Sequence, residues 1–140
     1  MRPSPQVTNV LDFIPAAEHA AIRAGQSSRD CTPGIQAAID TGSSKVFVPA
    51  GVYPVKQVNL RSGLELHGEG TASVLRAHDA SLACEFMLAT HLRDGGTPNV
   101  ADNMRDIWLH DLTLEGRVEE FRYQQYWYLL AVNATSDLKV

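Results

Sequence analysis

CTPGIQAAIDTGSSKVFVPAGVYPVKQVNLRSGLELHGEGTASVLRA, residues 31–77, decides the fold. Ile35, Ala38 and Ile39 recur at helical spacing near its start. KVFVPAGVYPV, QVNL, GLELHGEG and SVLRA then follow as short apolar runs divided by glycine turns, with no further helical stretch between them. Strands at this spacing either zigzag into an antiparallel sandwich or wind round one axis as a solenoid. The helix ahead of the series favours winding. The first coil of a solenoid exposes its apolar interior and a row of unpaired amides and carbonyls, and an amphipathic helix laid across the opening covers both. The sequence therefore predicts an all-β chain, the start of a parallel β-helix, with one or two short capping helices at its amino end.

Upstream, Met1 to Gln6 is a proline-rich lead-in, and residues 7–140 read as one domain, incomplete at its carboxyl end. Val7 to Ile14 alternates as a first strand. Pro15 suits the start of a helix over Ala16 to Ala24, Gly25 supplies a left-handed stop, and Ile14, Ala17, Ala21 and Ile22 are expected to face inward. For the second helix Thr32 is the expected N-cap, Pro33 a good first residue and Gly42 the terminator. Both helices are too short to stand alone in water. Burying one isoleucine is worth about 1.5–3 kcal/mol, so Ile35 and Ile39 are the expected anchors.

Downstream, GLELHGEG and DIWLHDLTLEG repeat one pattern: Leu64 and Leu66 precede His67 as Ile107 and Leu109 precede His110. After His110 the apolar phase shifts to Leu112 and Leu114, which in a straight strand would turn one pair outward. A bend at His110 and Asp111 lets both pairs reach one core. The closing run LLAVNATSDLKV has a similar texture, and a longer protein, a partner chain or a trimer is expected to close the far end of the stack.

With 140 residues, 44% of them hydrophobic, the chain has the material for a core. A net charge of -4 lacks the basic footprint of nucleic-acid binding. Cys31 and Cys84 make no disulfide framework and have no zinc spacing, so buried free thiols are expected. The first residues carry no long apolar run, which predicts neither a signal peptide nor membrane insertion. HGEG lacks the lysine and following helix of a phosphate loop and reads as a tight turn. The histidines at 67, 78, 91 and 110 lack metal spacing and read as corner or surface residues. No metal and no cofactor is expected.

Asp12-Phe13, the polar turn, Thr32, IQAAID, VFVPAGVYPV, GLELHGEG and DLTLEG, taken in order, resemble the amino-terminal part of the pectate-lyase-like family, which includes phage tailspikes and many polysaccharide lyases and hydrolases. The resemblance spans Val7 to Gly116. The family often carries a Gly-Asp-Gly turn after the Asp-Phe pair and paired aspartates before the threonine. This chain has IPAAEHAAIRAGQSSRDC there, which is similar to a tailspike version. The resemblance implies a right-handed parallel β-helix, often a homotrimer, that binds and commonly cuts bacterial surface polysaccharide. It also implies an extracellular protein, released as a virion component or secreted without a signal peptide.

Glycoside hydrolysis needs two carboxyl groups about 5 to 9.5 Å apart, and stacked strands about 4.8 Å apart can supply them from neighbouring coils. Asp111 and Glu115 flank the best-defined coil and are the catalytic candidates. The competing reading is that an aspartate at a corner caps the turn and a glutamate before glycine is solvated. In the resembling family the catalytic acids generally lie on later coils. The aromatic stretch from Phe121 to Tyr128 supplies the substrate-binding candidates, Tyr123, Tyr126 and Trp127, whose rings suit sugar faces or, alternatively, packing against the solenoid wall or a trimer axis. Two functions remain: part of a polysaccharide depolymerase, lyase or hydrolase, or a non-catalytic virion or adhesion module that binds glycan or scaffolds a distal domain.

Overall fold

The computed structural model describes residues 6–78, 86–90, 93–94, 97–98, 104–117, 128–131 and 135–140. In chain order the elements are β1 (Val7–Asn9), α1 (Ala16–Arg23), α2 (Thr32–Asp40), β2 (Lys45–Val48), β3 (Gly51–Val55), β4 (Val58–Asn59), β5 (Glu65–Gly68), β6 (Ser73–Ala77) and β7 (Phe86–Ala89). They continue with β8 (Arg93–Asp94), β9 (Thr97–Pro98), β10 (Met104–His110), β11 (Thr113–Glu115), β12 (Tyr128–Ala131) and β13 (Thr135–Lys139).

Three sheets share the strands: A in the order β1-β2-β5-β10-β13, B in the order β3-β6-β11 and C in the order β4-β7-β12. Every pairing within them is parallel. β8 and β9 form a separate antiparallel pair. The chain thus lays one strand in A, one in B and one in C, then returns beside its earlier strands. The parallel strands and two helices expected from the spacing are present, and the antiparallel sandwich is not the arrangement of these sheets.

Alternation decides what faces inward. Val46, Leu66 and Leu109 are cross-strand partners in sheet A, and all three are buried. Tyr53 and Leu75 from sheet B, and Val58 and Leu88 from sheet C, join them in one apolar cluster. Tyr53 keeps its hydroxyl satisfied there by donating to the Pro49 carbonyl at 2.9 Å.

Three sheet A strands share one backbone bend, ahead of β5 and within β10 and β13. Gly63, Asp106 and Asp137 have φ of 74°, 57° and 54°, and the register stacks them on successive strands, each just before an inward Leu64, Ile107 or Leu138. Aspartate tolerates this left-handed region better than most side chains. At the exit, Asp111 has φ 55° and its carbonyl accepts the Gly70 N–H at 3.0 Å. The bend expected at His110 and Asp111 is therefore present: Ile107 and Leu109 are buried, and Leu112 and Leu114 pack against the same cluster.

The amino end is closed by side chains as well as by a strand. β1 pairs with β2. Ile35, Ala38 and Ile39 of α2 are buried in the apolar cluster. Gln36 donates from Nε2 to the Asn59 carbonyl at 3.1 Å and accepts the Asn59 N–H on Oε1 at 2.8 Å, as a neighbouring strand would. The Cys31 N–H donates to the Pro54 carbonyl at 2.8 Å, and Thr32 Oγ1 accepts the Lys56 N–H at 2.7 Å. The first strands of sheets B and C so have their outer edges partly occupied.

Several local expectations are corrected. The first strand stops at Asn9 rather than Ile14, because Asn9 Oδ1 accepts the Leu11 N–H at 2.9 Å and starts a 3-10 turn over Val10–Phe13. Thr32 is the first residue of α2 and Cys31 its N-cap, without a side-chain cap hydrogen bond; Asp30 Oδ1, one residue earlier, accepts the Thr32 N–H at 3.0 Å. Burial alone would raise the Asp30 pKa, but the Thr32 hydrogen bonds and the Lys56 ammonium outweigh it and hold the carboxyl below its usual range. Ala17 is exposed, since Ile22 is the buried residue of α1 and it seats against Gly51, where an added Cβ would lie 2.8 Å from its Cγ2. Gly25 (φ 71°) and Gly42 (φ 85°) stop the helices as expected. Cys31 is a buried free thiol, pushed up to about 12 by burial and then by the Asp30 charge; Cys84 lies outside the described residues. Among the described residues no helix is long and apolar enough to cross a membrane.

Candidate functional site

The inward set on sheet A forces the alternate residues outward. The row Lys45, Glu65, Trp108 and Lys139 runs across β2, β5, β10 and β13 in register. Phe47, His67 and His110 form the next row. The parallel register therefore assembles a ladder from residues far apart in sequence.

Within the ladder, Lys45 Nζ lies 3.6 Å from Glu65 Oε2. Trp108 lies against His110 with centroids 4.2 Å apart and the rings tilted by 30°, and Lys139 Nζ lies 6.0 Å from the Trp108 ring centroid. The imidazoles of His67 and His110 are 5.3 Å apart and within 10° of parallel, with Phe47 5.3 Å beyond His67. His110 is held from both sides: Nδ1 is 2.8 Å from Asp111 Oδ2, and Nε2 is 3.7 Å from Glu65 Oε1. The latter distance is too long for a hydrogen bond. Nε2 of both imidazoles is shielded from solvent without a hydrogen-bond partner. Burial pushes the His67 pKa down; His110 and Lys45 add to this, and Glu65 and Asp111 oppose it.

Beside the ladder lies a depression of about 500 Å³ lined by Trp108, Glu65, Asp106, Asp137, Lys45 and Lys139. Trp108 is 45% exposed there. An indole face next to carboxylates and ammonium groups is amphipathic, and it suits a ligand with an apolar face and a rim of hydroxyls. The two lysines donate and the three acidic residues accept, so both halves of a sugar hydroxyl's hydrogen bonding are available.

Asp111 and Glu115 are not brought into one cleft. Asp111 is exposed at the corner after β10, bound to His110, and lines a small depression with Leu109, Leu112 and Leu114. Glu115 projects from sheet B, where its Oε2 is 3.0 Å from Arg76 Nε, and lines a separate depression. Tyr123, Tyr126 and Trp127 lie outside the described residues. Among the described residues no group of three or more His, Cys, Asp or Glu side chains could hold a metal ion.

Trp108, Lys139 and the stacked histidines were missed as a group. For Trp108 a signal existed: it stands between Ile107 and Leu109 in an alternating run, so inward neighbours make it outward. No family model, curated protein or solved structure matches the chain.

Proposed function

We propose that the chain forms the amino-terminal coils of a right-handed parallel β-helix, of the tailspike-like kind, and that it binds polysaccharide on the outward face of sheet A. The half-exposed Trp108 over a groove edged by carboxylates and ammonium groups carries the reading. The winding is supported by the parallel order of the three sheets, and the hand by the strong preference of parallel crossovers for the right-handed path. The placement at the amino end is supported by α2 and Gln36 occupying the edge of the first strands.

The test is glycan binding by Trp108→Ala. Removing one stacking ring is expected to weaken polysaccharide binding at least about tenfold, in line with the cost of losing an interface aromatic, with the melting temperature little changed because the ring is exposed. Full retention of binding would sink the reading. Cleavage is the second reading, favoured by Glu65, Asp106 and Asp137 lining the same groove, since glycosidases work with paired carboxyl groups. Incubation with capsular polysaccharides and assay for new reducing ends or unsaturated products separates it: cleavage absent from wild type, with binding intact, leaves the binding module.

A further inference from the structure

The outward face of sheet B carries a second, chemically different depression. Its volume is about 360 Å³, and its charged lining is Arg76, Arg117, His78 and Glu115. A chain of net charge -4 thus gathers two guanidinium groups and an imidazole round one hollow. Register explains the gathering: Arg76 on β6 and Glu115 on β11 are cross-strand partners, and Arg117 follows two residues later.

Each basic group has a distinct hold on the wall. Arg117 donates from Nη1 to the Ala77 carbonyl at 3.0 Å, which pins its guanidinium across the end of β6. Its backbone sits at φ 51°, a conformation that disfavours a long side chain. His78 Nε2 lies 3.1 Å from the Ser28 carbonyl, and since a carbonyl only accepts, that nitrogen carries the proton. Arg76 donates through Nε to Glu115 at 3.0 Å and, among the described residues, to nothing through its two terminal nitrogens. The Arg76 to Glu115 pair is substantially exposed, with side chains 35% and 42% accessible. Such a pair contributes little to stability, so another anion can compete with Glu115 for Arg76 at small cost. A guanidinium already committed to a carboxylate through one edge keeps a donor fork for another oxyanion.

We propose that this depression binds the oxyanion of an acidic sugar residue, a carboxylate or a phosphate, with Arg76 and Arg117 as the recognising groups. The proposal rests on the glycan-binding reading and adds to it a charged subsite on a different sheet. Neutral binding and charge preference belong to separate residues, Trp108 and the arginine pair.

The test is calorimetric titration with a glucuronic acid tetrasaccharide, with its carboxyl-reduced neutral counterpart, and with free glucuronate and glucose 1-phosphate as competitors. The expected result is binding of the acidic tetrasaccharide about tenfold tighter than its reduced form, a difference typical of charge-assisted hydrogen bonds. The preference should shrink as salt rises from about 50 to about 500 mM. R76M and R117M, which keep most of each side chain's apolar stem, should each abolish the preference while neutral binding persists. Equal affinity for the two tetrasaccharides, or a preference that survives both substitutions, overturns the proposal. Should either variant fail to fold, the salt series on the unaltered protein decides. Displacement by glucose 1-phosphate assigns the site to oxyanions generally, displacement by glucuronate alone assigns it to carboxylates, and displacement by neither overturns it. Failure of the broader reading looks different: neither tetrasaccharide binds, yet free glucuronate still does.

Discussion

Gly68 and Gly63 are both glycines for the fold's sake, but for opposite reasons. At Gly63 the backbone is left-handed, φ 74°, and an added Cβ would meet nothing within 4 Å. At Gly68 an added Cβ would lie 2.4 Å from Ser73 Cβ and 2.6 Å from the Asp111 carbonyl oxygen. Ser73 cannot easily withdraw, because its buried hydroxyl donates to the Val48 carbonyl and accepts the Glu69 N–H, both at 2.8 Å. Gly68→Ala is therefore expected to lower stability by about 1–3 kcal/mol, the usual cost of overpacking, measured by urea denaturation; an unchanged midpoint would show that the corner can open. His67 gives a second prediction. Its folded pKa is depressed by burial, so the unfolded chain takes up the proton first. Its contribution to stability is complete above the ordinary value of 6.5 and declines as pH falls from there toward the lower folded value. His67→Gln should flatten the stability profile in that window, and a profile identical to wild type would remove His67 as the cause. The directions of Phe47, His67 and His110 follow from alternation with buried neighbours, but their stacking does not, because it depends on which strands lie side by side.

Among the elements, α2 was the most legible. Ile35, Ala38 and Ile39 mark its inner face and Gly42 its end, and the structure buries all three. What spacing does not reveal is that Gln36, on the same helix, pairs with the backbone of β4. Gln36→Ala removes both part-buried hydrogen bonds to Asn59 and is expected to cost about 0.5–1.5 kcal/mol, the net worth of an ordinary hydrogen bond. Ile39→Asp places a carboxyl in the apolar cluster and should leave the protein insoluble or molten; a melting temperature equal to wild type in either variant would refute the capping role. The repeated bend at Gly63, Asp106 and Asp137 sits in S-G-L-E, R-D-I-W and S-D-L-K, a pattern visible once the strands are aligned. Uneven spacing hides that alignment. From Lys45 to its partner Glu65 is 20 residues, from Glu65 to Trp108 is 43, and from Trp108 to Lys139 is 31. The groove beside Trp108 could not be assembled from sequence for the same reason.

At the scale of the whole molecule, parallel strands round one apolar cluster were foreseeable from short strands with a helix ahead of them; their division into three sheets was not. Stability in such a stack is shared between neighbouring circuits rather than concentrated at one point. Its two ends are not equivalent. Gln36, Cys31 and Thr32 partly occupy the amino-side edges of sheets B and C and β1 is the first strand of sheet A, while β11, β12 and β13 are last in their sheet orders. Partial occupation of the first strands of sheets B and C leaves fewer free amides and carbonyls for another chain's strand to pair with. A chain trimmed to begin after Gly42 is expected to polymerise into fibres, seen as rising light scattering and thioflavin fluorescence, whereas the intact chain under the same conditions stays clear. If the trimmed chain stays dispersed, the helix is a hydrophobic cover without any part in blocking growth.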